Sequence, residues 1–371
     1  MKTETIALSS ASPGTSRTLT RHIWGTEGQR PKIYLQGALH ADEMPGAITL
    51  WHLMELLDAA ESAGRLIGEI SVVPFANPIG LTQWVHNKPQ GRQDLESMRN
   101  FNRHYPDLAA LVGDRLEGKL GDDAEQNAKV IRAAFAAALA AETPKSEAEE
   151  MRIRLMQWSH AADIVLDLHC DHVALMHFYT SSTRPDLTEL LGRATGAKLA
   201  LIEEISGGNA FDEAHSAPWT ALRTRYGARF PIPAACFSTT VEYRGQNDVN
   251  DTLAQADAAK LMIFLGAAGA VSGEPAPAYP PAPQKPLGGA GEAFAPQGGI
   301  VTWACAPGDE VSAGETIAWV SDPIARRRMA VAAPATGLLF RRELWTHCLA
   351  GQSLCNVAGD TILRHGNLLS D

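Results

Sequence analysis

The chain has few cysteines and places none of them in a pair typical of metal or redox sites. Its 371 residues include five cysteines, and no two of them have the Cys-x-x-Cys spacing. Scattered thiols in odd number argue against the disulfide framework that stabilises small secreted domains. We therefore expect reduced cysteines and a cytoplasmic location.

Long apolar runs and an excess of positive charge are also missing. No stretch approaches 18 uninterrupted apolar residues, so we expect no membrane-spanning helix, and the polar segment 1–16 lacks the apolar part of a signal peptide. Lys and Arg number 32 against 42 Asp and Glu, which gives a net charge of −10. Because nucleic acids and anionic membranes bind concentrated basic surfaces, we expect neither as a partner.

The distribution of proline and of apolar residues predicts a division of the chain. Prolines are concentrated in 273–290, a composition typical of an extended linker. Residues 1–272 alternate between strand and helix patterns, whereas 291–371 show short alternating strands with Gly-Asp and Ala-Gly turns. We predict an α/β domain over 1–272, a linker over 273–290 and a small all-β module over 291–371.

The first domain begins its regular pattern with a strand, a helix and a second strand. Apolar residues at 32–36 predict a buried strand, 47–63 has a broad apolar helical face, and 70–75 predicts the next strand. Such a unit implies a mixed, largely parallel sheet with flanking helices, whose strand C-terminal ends carry the chemistry. Further strands are predicted at 163–168, 177–180, 199–202 and 234–242, helices at 124–141, 146–160, 186–195 and 250–270, and loops at 81–107 and 206–219.

Polar side chains stand at three of these strand ends. His40 and Glu43, three positions apart, can point at one spot, and His169 and Glu242 follow or end later strands. A catalytic zinc site needs three protein ligands, an open position for water and a nearby base. His40, Glu43 and His169 fit the ligands, and Glu242 fits the base. The ordinary alternatives are a helix-complementing Glu43, a structural His169 and an ion pair between Glu242 and Arg244.

Five short motifs, in this order, resemble the succinylglutamate desuccinylase/aspartoacylase family, whose fold is zinc carboxypeptidase-like. The resemblance covers most of residues 30–265. The motifs are Gly37-Ala38-Leu39-His40-Ala41-Asp42-Glu43, Asn77-Pro78-Ile79-Gly80, Asn100-Phe101-Asn102-Arg103, Asp167-Leu168-His169 and Val241-Glu242.

The resemblance implies one Zn²⁺ per chain on the ligands named above, with Glu242 taking the proton of the attacking water. It also implies an arginine that stabilises the oxyanion, for which Arg92 is the best match, and a clamp for a substrate carboxylate at Asn102 and Arg103. Arg244 is a second candidate for the carboxylate, and Arg99 is an alternative to Arg103. Many relatives carry an acidic residue and leucine where this chain has Asn-Phe before Asn-Arg, which leaves the substrate open.

The implied activity is zinc-dependent hydrolysis of an N-acyl group from a small amino-acid-like substrate. Two other readings remain open at this point: a zinc carboxypeptidase that acts on peptides, and a catalytically silent relative that binds a ligand. A homo-oligomer is also compatible with the sequence.

The C-terminal module resembles the hairpin repeat of a biotinyl/lipoyl-type barrel. Its Pro307-Gly308-Asp309-Glu310-Val311 and Ala333-Pro334-Ala335-Thr336-Gly337 segments carry the likeness. A carrier of that kind needs a modifiable lysine between these halves, but 322–329 contains arginines and no lysine. We therefore expect no attached cofactor, and instead a module that flanks the active site or builds an oligomer interface.

Overall fold

A mixed β-sheet with helices on both faces forms the larger part of the computed structural model, which describes residues 1–366, 368 and 369. Within this described part the sheet has nine strands in the order β1-β2-β4-β3-β7-β11-β9-β10-β12. The strands up to the proline-rich segment are β1 (Lys2–Ala7), β2 (Thr18–Trp24), β3 (Lys32–Gly37), β4 (Glu69–Val73), β5 (Trp84–Val85), β6 (Lys88–Pro89), β7 (Ile164–Asp171), β8 (Val173–Ala174), β9 (His177–Thr180), β10 (Leu199–Ile202), β11 (Phe237–Gly245) and β12 (Gln284–Pro286).

The four central strands, β4, β3, β7 and β11, are parallel neighbours, and antiparallel pairs lie on either side of them. The C-terminal ends of these four strands therefore share one edge, where the loops that follow β3, β7 and β11 meet. The predicted mixed α/β class is confirmed.

Helices cover both faces of the sheet and bury two apolar clusters against it. One cluster joins α2, α3, α4 and α6 to the sheet, and the other joins α1, α5 and α7 to the opposite face. The helices are α1 (Met44–Ser62), α2 (Leu108–Val112), α3 (Ala124–Ala141), α4 (Glu147–Ser159), α5 (Pro185–Thr195), α6 (Glu213–Tyr226) and α7 (Asp251–Ala267), with 3-10 turns at Gly80–Thr82, Gly113–Leu116 and Leu287–Gly289. No described helix is long and apolar enough to cross a bilayer.

The bounds of several predicted elements differ from those in the structure. The predicted loop at 206–219 is wrong in its second half, because α6 begins at Glu213 and includes Pro218. Pro218 lies inside the helix, as its sixth residue, and burial of Trp219, Leu222 and Tyr226 on one face outweighs its helix-breaking tendency. The strand predicted over 163–168 extends as β7 to Asp171, so that His169 lies inside it.

The proline-rich segment ends as part of the main sheet, because β12 pairs with β10. The chain then forms a five-stranded and a four-stranded sheet that enclose a third apolar cluster. The five-stranded sheet includes β8, which pairs with β18 immediately after the strand that carries His169. The remaining strands are β13 (Ala290–Phe294), β14 (Gly299–Trp303), β15 (Glu310–Val311), β16 (Thr316–Asp322), β17 (Arg327–Ala332), β18 (Gly337–Arg342), β19 (His347–Cys348) and β20 (Ser353–Ala358).

Candidate active site

The connection between β3 and α1 brings the first two predicted ligands to the sheet edge. Ala38 adopts a positive φ of 52°, and the chain then passes His40 and Glu43 before α1 begins at Met44. Gly46 lets this helix approach β7 closely, since a Cβ there would lie 2.7 Å from the Cβ of Leu168. The close contact places Glu43 beside the residue that follows Leu168.

His169, which follows Leu168, completes a cluster of three side chains of the type that binds metals. Suitable atoms of His40, Glu43 and His169 all lie within 4.8 Å of one another, and all three residues are buried. The Nδ1 atom of His40 lies 2.9 Å from Oε1 of Glu43, and the Nδ1 atom of His169 lies 2.8 Å from Oε2. Two imidazole nitrogens and a carboxylate are the donor set of many catalytic zinc sites, so these residues fit the metal that the sequence predicts.

Each histidine contacts a second polar side chain through its other ring nitrogen. The Nε2 atom of His40 lies 2.8 Å from Oδ1 of Asn100, and that of His169 lies 2.9 Å from Oδ2 of Asp167. Gln36 donates a hydrogen bond of 3.0 Å to the other oxygen of Asp167. Burial and the Arg92 charge lower the pKa of His40 to about 4, which keeps this imidazole neutral.

Glu242 lies beside the cluster because of strand register. In the parallel ladder between β7 and β11, Glu242 is the direct partner of His169. Its Oε2 atom is buried and has no hydrogen-bond partner among the described residues. Burial, together with the nearby Asp171 and Glu43 carboxylates, raises the pKa of Glu242 well above its usual range. A carboxylate of raised pKa at this position is suited to accept and return a proton.

Arg92 reaches the cluster from the long loop predicted over 81–107. Its Nη1 atom lies 3.3 Å from Nδ1 of His40 and 3.4 Å from Oε1 of Glu43, while about half of its side chain (56%) remains exposed. Gly91 holds the loop in place by accepting a 3.0 Å hydrogen bond from the backbone of Ala41. A guanidinium that is partly open to a cavity and adjacent to the ligands can contact a reacting carbonyl oxygen.

Asn102 and Arg103 line the same cavity and are buried. Asn102 accepts a 2.8 Å hydrogen bond from the backbone of Phe211, and Arg103 donates one of 2.7 Å to the carbonyl of Asn102. Gly208 leaves room for Arg103, since a Cβ there would lie 2.5 Å from its Cδ. The two side chains predicted to clamp a carboxylate are thus held together beside the loop that precedes α6.

Arg244 and Arg99, the other arginine candidates, do not line this cavity. Two residues beyond Glu242 on β11, Arg244 would share its face in a regular strand. The register shifts between Glu242 and Gly245, however, and Arg244 has a φ of 61°. Its guanidinium pairs instead with Asp257 on α7. Arg99 is exposed. These positions argue against both alternatives and leave Arg103 as the better-placed residue.

The cavity has a volume of about 690 Å³ and is lined in part by the C-terminal module. Arg341 of β18 lies with Nη1 3.4 Å from Oδ1 of Asp171, and Glu343 accepts a 2.7 Å hydrogen bond from His172. No motif in the sequence identifies Arg341 as a pocket residue, because its partner is remote in the chain. Cys170 is no nucleophile here, since burial and then the Glu43 and Glu242 carboxylates raise the pKa of its thiol.

Comparison with known proteins identifies a family and related folds. The sequence model of the succinylglutamate desuccinylase/aspartoacylase catalytic domain matches residues 29–222. A search of curated proteins finds no match. Among solved structures, a succinylglutamate desuccinylase/aspartoacylase family protein from Shewanella amazonensis has a TM-score of 0.84 at 22% identity over 96% of this chain and 98% of its own.

Two further solved structures share the fold. A protein of the same description from Shewanella frigidimarina has a TM-score of 0.83 at 22% identity, over 96% of each chain. The product-bound ectoine utilization protein EutE (DoeB) from Ruegeria pomeroyi has a TM-score of 0.65 at 16% identity, over 96% of this chain and 95% of its own. Since the family match extends over more than half of its length, this chain belongs to the succinylglutamate desuccinylase/aspartoacylase family.

Proposed function

We propose that the protein is a zinc-dependent amidohydrolase that removes an N-acyl group from a small amino-acid-like molecule. The observation that carries this proposal is the convergence of His40, Glu43 and His169 in one cavity, with Glu242 as the strand neighbour of His169. Membership of a desuccinylase/aspartoacylase family supports hydrolysis of an amide.

The Nδ1 atoms of His40 and His169 and the Glu43 carboxylate would hold the metal. When bound there, Zn²⁺ supplies Lewis acidity, which polarises a carbonyl and lowers the pKa of water. Three protein ligands of this kind leave a coordination position for solvent or substrate.

Arg92 and Glu242 have separate roles in the proposed reaction, one electrostatic and one in proton transfer. The Arg92 guanidinium stabilises the negative charge that develops on the carbonyl oxygen during attack. Glu242 accepts a proton from the attacking water on a carboxylate oxygen and delivers it to the nitrogen of the departing amine. The raised pKa of Glu242 suits this return of the proton.

Substrate size and charge are set by the rest of the cavity. Its volume of about 690 Å³ lies in the usual range for small-molecule sites. Arg103, positioned by Asn102, offers a planar cation for a substrate carboxylate. Phe340, Arg341 and Glu343 of the C-terminal module form part of the cavity wall, and this extra wall favours a small acylated amino acid over a long peptide.

The test is a metal analysis combined with a substrate panel. We expect one zinc per chain, loss of activity after chelation and recovery on adding zinc. Glu242→Gln should lower kcat by at least about 100-fold and retain the metal. Glu204→Gln is the matched control, because this cavity carboxylate is bound by Ser182 away from the ligands.

The panel comprises N-acetyl and N-succinyl amino acids and peptides with free C-termini. Release of residues from peptides alone would overturn the deacylase assignment in favour of a carboxypeptidase. Absence of stoichiometric zinc, or full activity of Glu242→Gln, would overturn the mechanism.

A further inference from the structure

Asn100 lies two residues before Asn102 and is fully buried. Its Oδ1 atom accepts a 2.8 Å hydrogen bond from the backbone N–H of Asn102 and lies 2.8 Å from Nε2 of His40. The backbone N–H can only donate, so the side-chain atom that faces both groups must be the oxygen. The amide oxygen can only accept, so Nε2 of His40 must carry a proton. Nδ1 also faces an oxygen, Oε1 of Glu43 at 2.9 Å, but an imidazole lone pair and a carboxylate can both be ligands of one metal ion.

This proton position determines which nitrogen of His40 is free. In a neutral imidazole with a proton on Nε2, the lone pair is on Nδ1. Nδ1 is the atom that faces Glu43 and the proposed metal position. Asn100 therefore selects the form of His40 that can act as a ligand through Nδ1.

The two ligand histidines are oriented by partners of different charge. Asp167, a carboxylate, faces Nε2 of His169, whereas a neutral amide faces Nε2 of His40. Partners of metal-bound histidines fix ring orientation, and their loss typically weakens metal binding about 10–100-fold. The Asn100 side chain differs from Asp167 in also binding the backbone of the Asn102–Arg103 pair, so it connects the metal site to the proposed substrate clamp.

The rest of Asn100 is held in a way that keeps this oxygen in place. The Asn100 carbonyl accepts a 3.1 Å hydrogen bond from Arg152, and the residue forms a β-bridge with Gln93. Its Nδ2 atom is buried without a hydrogen-bond partner among the described residues, which is unfavourable. The Asn100 amide therefore accepts from two donors through its oxygen, whereas its nitrogen makes no described hydrogen bond. This pattern indicates that the oxygen is the functional atom of the side chain.

We propose that Asn100 is a positioning residue that sets the tautomer and orientation of His40 and links this ligand to Asn102 and Arg103. The proposal rests on the proposed metal site and assigns a residue that acts on the metal only through His40.

The first experiment measures zinc affinity of the apoprotein by competition with a chromophoric chelator. Asn100→Ala should bind zinc about 10–100-fold more weakly than the wild type, because it lacks the acceptor for Nε2. Asn100→Asp retains an acceptor oxygen and should recover most of the affinity. Asn127→Ala is the matched control, since Asn127 is equally buried but bonds Gly121 and Pro231 away from the site.

Asn127→Ala should lower the thermal unfolding temperature and leave zinc affinity unchanged. Equal zinc affinities for the two alanine variants would overturn the proposal, and so would failure of Asn100→Asp to recover affinity. If the wild type itself binds no zinc, the proposed function fails instead.

The second measurement needs no variant and applies even if Asn100→Ala does not fold. Two-bond ¹H–¹⁵N correlation spectra of the zinc-loaded protein, labelled at histidine nitrogens, show which ring nitrogen of each histidine carries the proton. We expect His40 to carry its proton on Nε2. A proton on Nδ1 would overturn the role assigned to Asn100.

Discussion

Arg341 of the C-terminal module lies with its Nη1 atom 3.4 Å from Oδ1 of Asp171, two residues after His169, a proposed metal ligand. The same guanidinium donates a 2.8 Å hydrogen bond from Nε to Asn356 on β20. The module therefore contacts β7 through a charged pair that is mostly buried, with side-chain exposures of 21% and 20%. This pair gives the module a direct connection to the strand that carries the site.

Removing the cation should weaken both folding and substrate binding. We expect Arg341→Leu to lower the free energy of unfolding by about 2 kcal/mol, because Asp171 stays buried without its counter-charge, and to raise KM as the cavity wall shifts. Urea denaturation and steady-state kinetics measure the two effects. Arg328→Leu, an exposed position in the same module whose guanidinium lies over Trp319, is the control; it should leave KM unchanged and lower stability less than Arg341→Leu does. Matching results for the two variants would contradict this role.

Catalysis should depend on the planar guanidinium of Arg92 as well as on its positive charge. Arg92→Lys keeps the charge but loses the planar fork beside His40 and Glu43, so we expect kcat to fall at least about 10-fold, and Arg92→Ala about 100–1,000-fold. Because the side chain is half exposed, the unfolding temperature should stay the same. Arg99→Lys, in the same loop and outside the cavity, provides the comparison. A kcat for Arg92→Ala equal to that of the wild type would exclude oxyanion stabilisation.

Replacing Arg103 should affect KM, whereas replacing Arg244 should affect stability. Arg103→Leu is expected to raise KM about 10–100-fold for substrates with a free carboxylate, since a charged hydrogen bond contributes about 1.5–3 kcal/mol. Arg244→Leu should leave KM unchanged and reduce stability, because it leaves buried Asp257 with Lys260 as its remaining cationic partner. The assignment is reversed if KM rises only in Arg244→Leu. Measuring KM and urea midpoints for both variants decides between them.

His215 should make the fold sensitive to acid. Burial, and to a smaller extent His160, lower the pKa of His215 to about 4, while a backbone contact at Phe211 and the Asp167 charge oppose this. An unfolded histidine titrates near 6.5, so between this value and 4 the unfolded chain binds a proton that the native chain does not. Stability should therefore decline as pH falls through this window, by up to about 3 kcal/mol from this residue.

His215→Gln should flatten that part of the stability profile relative to the wild type. His86→Gln, at an exposed loop position, is the control and should retain the wild-type slope. Urea denaturation between pH 7 and pH 4 gives the comparison. An unchanged slope in His215→Gln would show that other groups cause the acid sensitivity.

The sequence predicts those parts of the molecule that depend on nearby residues. The helix over 124–141 is observed with the same bounds, since its alanine content and its Asp123 cap act locally. The contacts of His40, Glu43 and His169 were also predictable, because parallel strands bring their C-terminal ends to one edge. The sequence predicts only part of helix α6, because the helix is stabilised by packing of its apolar face against other elements.

Other features depend on tertiary geometry and carry no local signal. The bulge that turns Arg244 towards Asp257 is a register shift between strands, which periodicity along one strand cannot reveal. The contact between Arg341 and Asp171 joins residues on different sheets, and Asn100 faces His40 only because a long loop folds back over the sheet edge.

The pairing of β7 with β11 fixes the main-chain distance between two residues of the proposed site. His169 and Glu242 are held opposite each other by main-chain hydrogen bonds, at the strand spacing of about 4.8 Å. Because this spacing is a property of the main chain, the reach of the carboxylate into the cavity depends mainly on the number of methylene groups and on the side-chain rotamer. Shortening it to aspartate withdraws the oxygens by about one bond, roughly 1.5 Å. Carboxylate side chains of different length at position 242 therefore test how activity depends on the distance over which the proton is transferred.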